Sequence, residues 1–320
     1  MNSFDDWVLK NFEKISLEIH DLSWVHDFFP ELSDFSSEIK WNGRTYIGRS
    51  TREKESAVRV SLIEAIERAV CIGNQIETTN GVAAHFSQDR ARLNARNELL
   101  ERDLFLSHFI TQTPFRRIGN VSVPNLRQSM NFIEKADDSV AFFKMRPSNL
   151  GQGFLCVISG SKRWGGIIGL SFGDDSEENL IFKAFLEAFR QYWHLSDIQG
   201  LTQSLSIEEF LRQEKWTFDD HRRLALNVAY FDQIRDLFSD DDKAGSREVQ
   251  YSQDELAFHE ISLEAEPFSS CPIVVSQCKG QFAQKLYVGP FEESRISSKG
   301  LSRFLGHEPQ SLNTLPHPLS

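Results

Sequence analysis

Three short segments of this 320-residue chain place carboxylates at spacings that suit chemistry: SLIEAIER at 61–68, RNELLERD at 96–103 and FLEAFRQ at 185–191. Glu64, Glu67 and Arg68 recur 34 residues later as Glu98, Glu101 and Arg102, while the third copy keeps Glu187 and ends in Gln191. At about 100° per residue on a helix, Ser61, Glu64, Glu67 and Arg68 fall within an arc of about 120°. Asn94, Glu98, Glu101 and Arg102 share an arc of about 100°, as do Lys183, Glu187, Arg190 and Gln191. Each segment therefore reads as a helix with one narrow polar stripe.

Around those stripes the helices are mostly apolar. Val58, Val60, Leu62, Ile63, Ile66, Val70 and Ile72 surround the first stripe, and Phe182, Phe185, Leu186, Phe189 and Trp193 the third. Helices of that kind are buried. A Glu/Arg pair at i, i+4 on a wet face is an ordinary ion pair worth a few tenths of a kcal/mol. On thin stripes of buried helices the same residues gather excess negative charge where solvation is poor, and a hard divalent cation relieves it. Carboxylate oxygens suit Mg²⁺, which keeps waters and bridges to phosphate, and arginine presents a fork to phosphate. The chemistry implied is a metal–triphosphate site. The usual phosphate cradles are missing: there is no GxxxxGK[ST], GSKRWGG at 160–166 reads as a hairpin turn, and no GxGxxG follows a strand.

Elements must carry these stripes. Residues 1–40 read as an amphipathic helix followed by a polar loop, and 41–50 as a short hairpin bracketed by Gly43 and Gly48. Helical patterns dominate to about residue 110. Residues 154–172 read as two strands and a turn, and a helix follows from about Glu177 to His194. Polar helices and the solvated run SDDDKAGSRE occupy 206–254, and CPIVVSQC and QKLYVG read as late strands. The tail LSRFLGHEPQSLNTLPHPLS shows no core pattern and is not helical near its prolines. The class is α/β in the mixed α+β sense, with the motif helices packed on mixed or antiparallel sheet.

With 40% hydrophobic and 25% charged residues the composition is that of a globular protein. A net charge of -11 argues against nucleic acid or anionic membrane held by a general basic field. Cys71, Cys156, Cys271 and Cys278 form no CxxC pair and read as thiols of a reducing compartment. The acidic N-terminus lacks a signal-peptide core and no window approaches ~18 apolar residues, so a soluble cytoplasmic protein is expected. His108, His194 and His221 are scattered and read as structural or surface histidines.

The motifs resemble those of the YcaO family. SxxExxER at Ser61, Glu64, Glu67 and Arg68, ExxERD at Glu98, Glu101, Arg102 and Asp103, and ExxxQ at Glu187 and Gln191 are similar to its three signatures, in the same order. TTNGVAA at 78–84 resembles the loop ahead of its second motif helix, and QKLYVG a segment near its C-terminal end. The resemblance spans roughly residues 40–320, giving an N-terminal helical segment over 1–40 and an ATP-binding domain over 41–320 with a proline-containing tail at 311–320. It implies ATP held between the motif helices and Mg²⁺ on their glutamates. Glu64, Glu67, Glu98 and Glu101 would hold metal or nucleotide, Arg68 and Arg102 would face phosphate, and Ser61, Glu187 and Gln191 would complete the pocket.

The better-known members of this family phosphorylate a backbone amide oxygen, and in azoline formation a Cys, Ser or Thr side chain of a ribosomal precursor peptide attacks the preceding carbonyl. The ending PHPLS is similar to the proline-rich end of azoline-forming members, which implies that Pro316, Pro318 and the terminal carboxylate of Ser320 reach the site and assist proton transfer. The partners implied are the precursor peptide, a separate leader-binding protein and a second copy of the chain. Two departures stand out: Arg90 replaces a glutamate the family commonly carries, and His85 replaces the glycine of the turn before it. Thioamide or amidine formation at the same ATP site, and a non-catalytic partner protein, are the alternatives.

Overall fold

A computed structural model describes residues 4–76, 80–119, 121, 123, 126–160, 163–197, 204–238, 247–262, 264 and 266–319. Thr78 and Thr79 of the TTNG loop, Ser161 and Lys162 of GSKRWGG, most of the SDDDKAGSRE run and Ser320 lie outside the described residues. In chain order the elements begin with α1 (Phe4–Asn11), β1 (Glu18–Asp21), β2 (Ser33–Trp41), β3 (Arg44–Arg52), α2 (Lys54–Gly73), β4 (Val82–His85) and α3 (Gln88–Ile110). They continue with β5 (Arg116–Ile118), α4 (Arg127–Lys135), β6 (Asp138–Lys144), β7 (Gln152–Gly160), β8 (Gly166–Gly173) and α5 (Glu177–Asp197). After these come α6 (Ile207–Leu211), α7 (Phe218–Ala225), α8 (Val228–Gln233), β9 (Leu256–Ile261), β10 (Val274–Gly280) and α9 (Ser298–Leu305). The class is mixed α/β, and every ladder between these strands is antiparallel.

The chain divides into two compact units, one of Met1–Leu99 with Leu256–Gln281 and one of Leu100–Glu255 with Phe282–Ser320. In the first, β1-β2-β3 and β4-β10-β9 form two small sheets. Leu62, Ile63 and Ile66 of α2, Ile39, Tyr46, Trp7 and Val275 make its core. The expected polar loop before residue 40 is a strand instead, because Phe35, Ser37 and Ile39 alternate inward along β2 with a period of two. The hairpin expected at 41–50 runs from Ser33 to Arg52, turning at Asn42 and Gly43, both at positive φ.

In the second unit the sheet order is β5-β6-β7-β8, and α5 lies against β7 and β8. The two strands and turn expected at 154–172 and the helix beginning at Glu177 are β7, β8 and α5. β8 is buried along its whole length, so its sequence is continuously apolar or small rather than alternating. QKLYVG forms no strand: Gln284 is fixed instead by side-chain bonds to Ser297, whose N–H it accepts at 3.0 Å and whose carbonyl it meets at 2.9 Å. The tail differs most from expectation. Leu301, Phe304 and residues 316–319 are buried while 306–308, 310 and 311 are exposed, so the tail returns to the core after an exposed stretch. Four buried thiols, Cys71, Cys156, Cys271 and Cys278, are free. Among the described residues no helix is long and apolar enough to cross a membrane.

Candidate metal and nucleotide site

In the first unit, α2 presents Glu64, Glu67 and Arg68 along one edge. Glu64 accepts the backbone N–H of Arg49 on β3 at 3.0 Å and the Arg68 guanidinium at 2.5 Å. Arg68, half-exposed, also donates to the Ile47 carbonyl. Arg49 is itself fixed: its guanidinium forks onto the buried Asp34, which also accepts from Trp24 at 2.6 Å and Thr51 at 3.0 Å. Glu67 accepts the N–H of Ala84 on β4 at 2.8 Å. Burial, and then the charge of Glu64, push its carboxyl up to about 8. Glu98 approaches from α3: burial first, then the charges of Glu67 and Glu98, push the Cys71 thiol up to about 12. Ser61 is buried, its hydroxyl bonded to Ser37 at 2.7 Å and to the Val58 carbonyl at 2.9 Å.

The second unit holds the other half of the sequence-derived set. Burial raises the Glu101 carboxyl to about 7, with Glu187 raising it further and Arg102 opposing. Arg102 Nε lies 3.7 Å from Glu101. Glu187 accepts the N–H of Leu170 on β8 at 2.6 Å, and Gln191 follows one turn along α5. The neighbouring Asp103 is structural. Buried, it accepts from Tyr251 and the Gln284 N–H at 2.7 Å each and from Arg303 at 3.1 Å.

The tail is latched within the same unit. Tyr230 donates to the Pro316 carbonyl. His221 Nε2 accepts the Gly289 N–H at 2.9 Å, which leaves Nδ1 to donate to the His317 carbonyl at 2.7 Å. His317 accepts the Leu319 N–H at one nitrogen and donates to the Tyr287 carbonyl at 2.6 Å with the other. The two imidazoles stack 4.1 Å apart. Burial drives His317 well below the ordinary histidine range, and the charge of Arg102 acts in the same direction, so the latch lies within electrostatic reach of the second motif. His108, like His221, is a core histidine, accepting the Arg146 N–H at 3.0 Å.

These carboxylates fit a divalent cation. Burial and neighbouring carboxylates oppose ionisation of Glu67 and Glu101, a penalty that a bound Mg²⁺ would offset. Among the described residues the one group of three potential ligand residues within 4.8 Å of one another is the exposed Glu18, His20 and Glu38, where Lys40 already sits 2.6 Å from Glu18. Glu64, Glu67 and Glu98 do not close to that spacing, as befits a cation that retains waters and phosphate oxygens rather than filling a protein cage. Sequence reasoning missed the partners that hold the glutamates, the N–H groups of Arg49, Ala84 and Leu170. The signal was the glycine inside each of two strand patterns, Gly48 and Gly169, a mark of close backbone approach.

The raised carboxyls set a pH dependence. A group whose folded pKa is raised holds protons that the unfolded chain has lost, so stability falls as pH rises from about 4.5 through 7 at Glu101 and 8 at Glu67. Without nucleotide, the melting temperature should drop by about 2 °C or more between pH 6 and pH 8.5. Mg²⁺ should restore more of it at pH 8.5 than at pH 6, because only ionised carboxylates ligate. Scanning calorimetry at both pH values checks the sign.

No family model matches the sequence, and no curated protein matches it. Solved structures do. A heterocyclase in complex with substrate and cofactor aligns over 99% of this chain at 13% identity and TM-score 0.63. The chain spans 57% of that protein's length. YcaO from Methanopyrus kandleri, bound with AMPPCP and Mg²⁺, aligns over 90% of this chain and 93% of its own at 14% identity and TM-score 0.54. A protein of the E. coli microcin synthetase McbBCD complex with pro-MccB17 bound aligns over 83% and 88% at 11% identity and TM-score 0.59. The fold of this chain is the fold of these YcaO, heterocyclase and synthetase structures.

Proposed function

We propose that this protein is an ATP- and Mg²⁺-dependent enzyme that activates a backbone amide of a ribosomally made precursor peptide, forming azoline rings from Cys, Ser or Thr. The observation that carries this reading is the state of the motif glutamates. Glu64, Glu67 and Glu187 are each tied by one oxygen to a strand N–H, and burial above all raises the carboxyls of Glu67 and Glu101, on a fold similar to that of a structure bound with AMPPCP and Mg²⁺. Glu64, Glu67, Glu98 and Glu101 would hold the cation, Arg68 and Arg102 would face phosphate, and Glu187 and Gln191 would complete the set. ATP, when bound, supplies the phosphoryl group that turns the amide oxygen into a leaving group.

The chain's own residues position and hold protons. The strand N–H groups orient Glu64, Glu67 and Glu187, and the paired Arg49 and Asp34 stiffen the strand that does so. The tail is held by Tyr230 and His221, and its His317 feels the charge of Arg102; on that basis we assign Pro316 and Pro318 to ring closure. A leader-binding partner protein, a second copy of the chain and a cytoplasmic location belong to the same reading, as does one ATP-binding domain over residues 41–320. The test is mass spectrometry of a Cys- or Ser-rich precursor peptide incubated with protein, partner, ATP and Mg²⁺. Loss of one water per ring is expected. A shift that marks sulfur replacing oxygen would assign thioamide formation, and no change with the partner present would overturn the enzymatic reading.

Arg90, in the first turn of α3 and exposed, adds a cation near His85, whose pKa is lowered by burial and then by Arg90. Arg90→Glu should tighten Mg²⁺-ATP binding about threefold by adding a carboxylate two turns before Glu98. Calorimetric titration reads it, and weakened binding would mean that Arg90 contacts phosphate.

A further inference from the structure

The two units share a construction that is not apparent from the helix motifs alone. In each, an antiparallel hairpin, β2-β3 or β7-β8, leads directly into a motif helix, α2 or α5, that packs back on it. In each, a glycine of the hairpin's second strand faces the helix. A Cβ at Gly48 would collide with the Ser61 carbonyl and the Ala65 nitrogen, and one at Gly169 with the Ala184 carbonyl and the Ala188 nitrogen. These contacts are at the same helical offsets, three residues before and one residue after Glu64 and Glu187. The residue after each glycine, Arg49 or Leu170, gives its N–H to that glutamate, at 3.0 and 2.6 Å.

We propose that Gly48 and Gly169 are positioning residues of the nucleotide site. By lacking a side chain, each lets its strand close on the helix until the next N–H captures one oxygen of the motif glutamate and fixes the carboxylate, the other oxygen of Glu64 meeting Arg68. The inference rests on the reading that these glutamates serve Mg²⁺-ATP. Packing alone does not require the device: Gly166 on the same strand is as crowded, by the Phe231 ring, yet faces the other side of the sheet and adjoins no motif residue. Adding one methyl at Gly169 must lift α5 from β8 and stretch the Leu170 bond, and displacement of this order at a site costs large factors in rate and affinity.

The test compares Gly169→Ala with Gly166→Ala by thermal melting and by titration with Mg²⁺ and AMPPCP. Both variants should melt below the wild type. Gly169→Ala should bind at least about tenfold more weakly, whereas Gly166→Ala should stay within about threefold, a contrast general loosening would not give. Equal affinities in the two folded variants would overturn the proposal. Failure of the wild type to bind Mg²⁺ and AMPPCP would instead remove the reading beneath it. Should Gly169→Ala not fold, the amide resonances of the wild type decide. Those of Arg49 and Leu170 should shift on adding Mg²⁺ and AMPPCP, and unmoved resonances with binding otherwise evident would overturn it.

Discussion

Glu101→Gln should weaken binding of Mg²⁺ and AMPPCP by about a hundredfold or more, near 2.7 kcal/mol, and abolish turnover. Glutamine keeps the volume and one acceptor oxygen but cannot carry the charge that a hard cation needs. The same substitution should raise the melting temperature of the nucleotide-free protein at pH 8. There the wild type must ionise a carboxyl that burial and Glu187 hold up to about 7, and the amide has nothing to ionise. The pairing of weaker binding with greater stability separates loss of a ligand from loss of fold, since misfolding would lower both. Unchanged affinity for Mg²⁺ and AMPPCP would remove Glu101 from the site.

The parts of this candidate site that were legible in the sequence are those written in a local period. Glu64, Glu67 and Arg68, and Glu187 with Gln191, stand out because a 3.6-residue repeat shows which side chains share a face, and the helices that carry them are long. What the sequence did not expose depends on partners remote along the chain. Nothing near Glu64 announces that Arg49 will hold it, and nothing near Arg49 announces Asp34. The strand over 33–41 was hidden because Ser33, Asp34 and Ser37, polar and turn-like in isolation, are all buried, with Asp34 satisfied by Trp24, Arg49 and Thr51. QKLYVG has strand composition but no strand to pair with, and composition cannot supply a neighbour. The tail misleads in the opposite sense: its prolines and polar residues suggest a solvated end, yet its carbonyls are satisfied by Tyr230 and His221, which allows it to be buried.

That burial changes how a role for the tail can be tested. Removing residues 316–319 would empty part of the second unit's core, so truncation confounds catalysis with stability. Tyr230→Phe is cleaner: it keeps the buried ring and withdraws only the hydroxyl that holds the Pro316 carbonyl. Stranding that carbonyl should cost about 1–3 kcal/mol of stability. His317→Ala goes further, deleting the bonds to Tyr287 and Leu319 and the stack on His221, and should cost about 2–4 kcal/mol through the lost bonds and the void. If Pro316 and Pro318 act in ring closure, both variants, assayed well below their melting temperatures, should lose at least about tenfold in peptide modification. Affinity for Mg²⁺ and AMPPCP should stay within about threefold of wild type, because His317 is neutral and adds no charge to the Arg102 environment. Mass spectrometry of the peptide and calorimetry of nucleotide binding, on the same preparations, give the two readings. Full modification by a folded His317→Ala protein would show that the latch serves stability alone and would shift the assignment toward chemistry that does not use the tail.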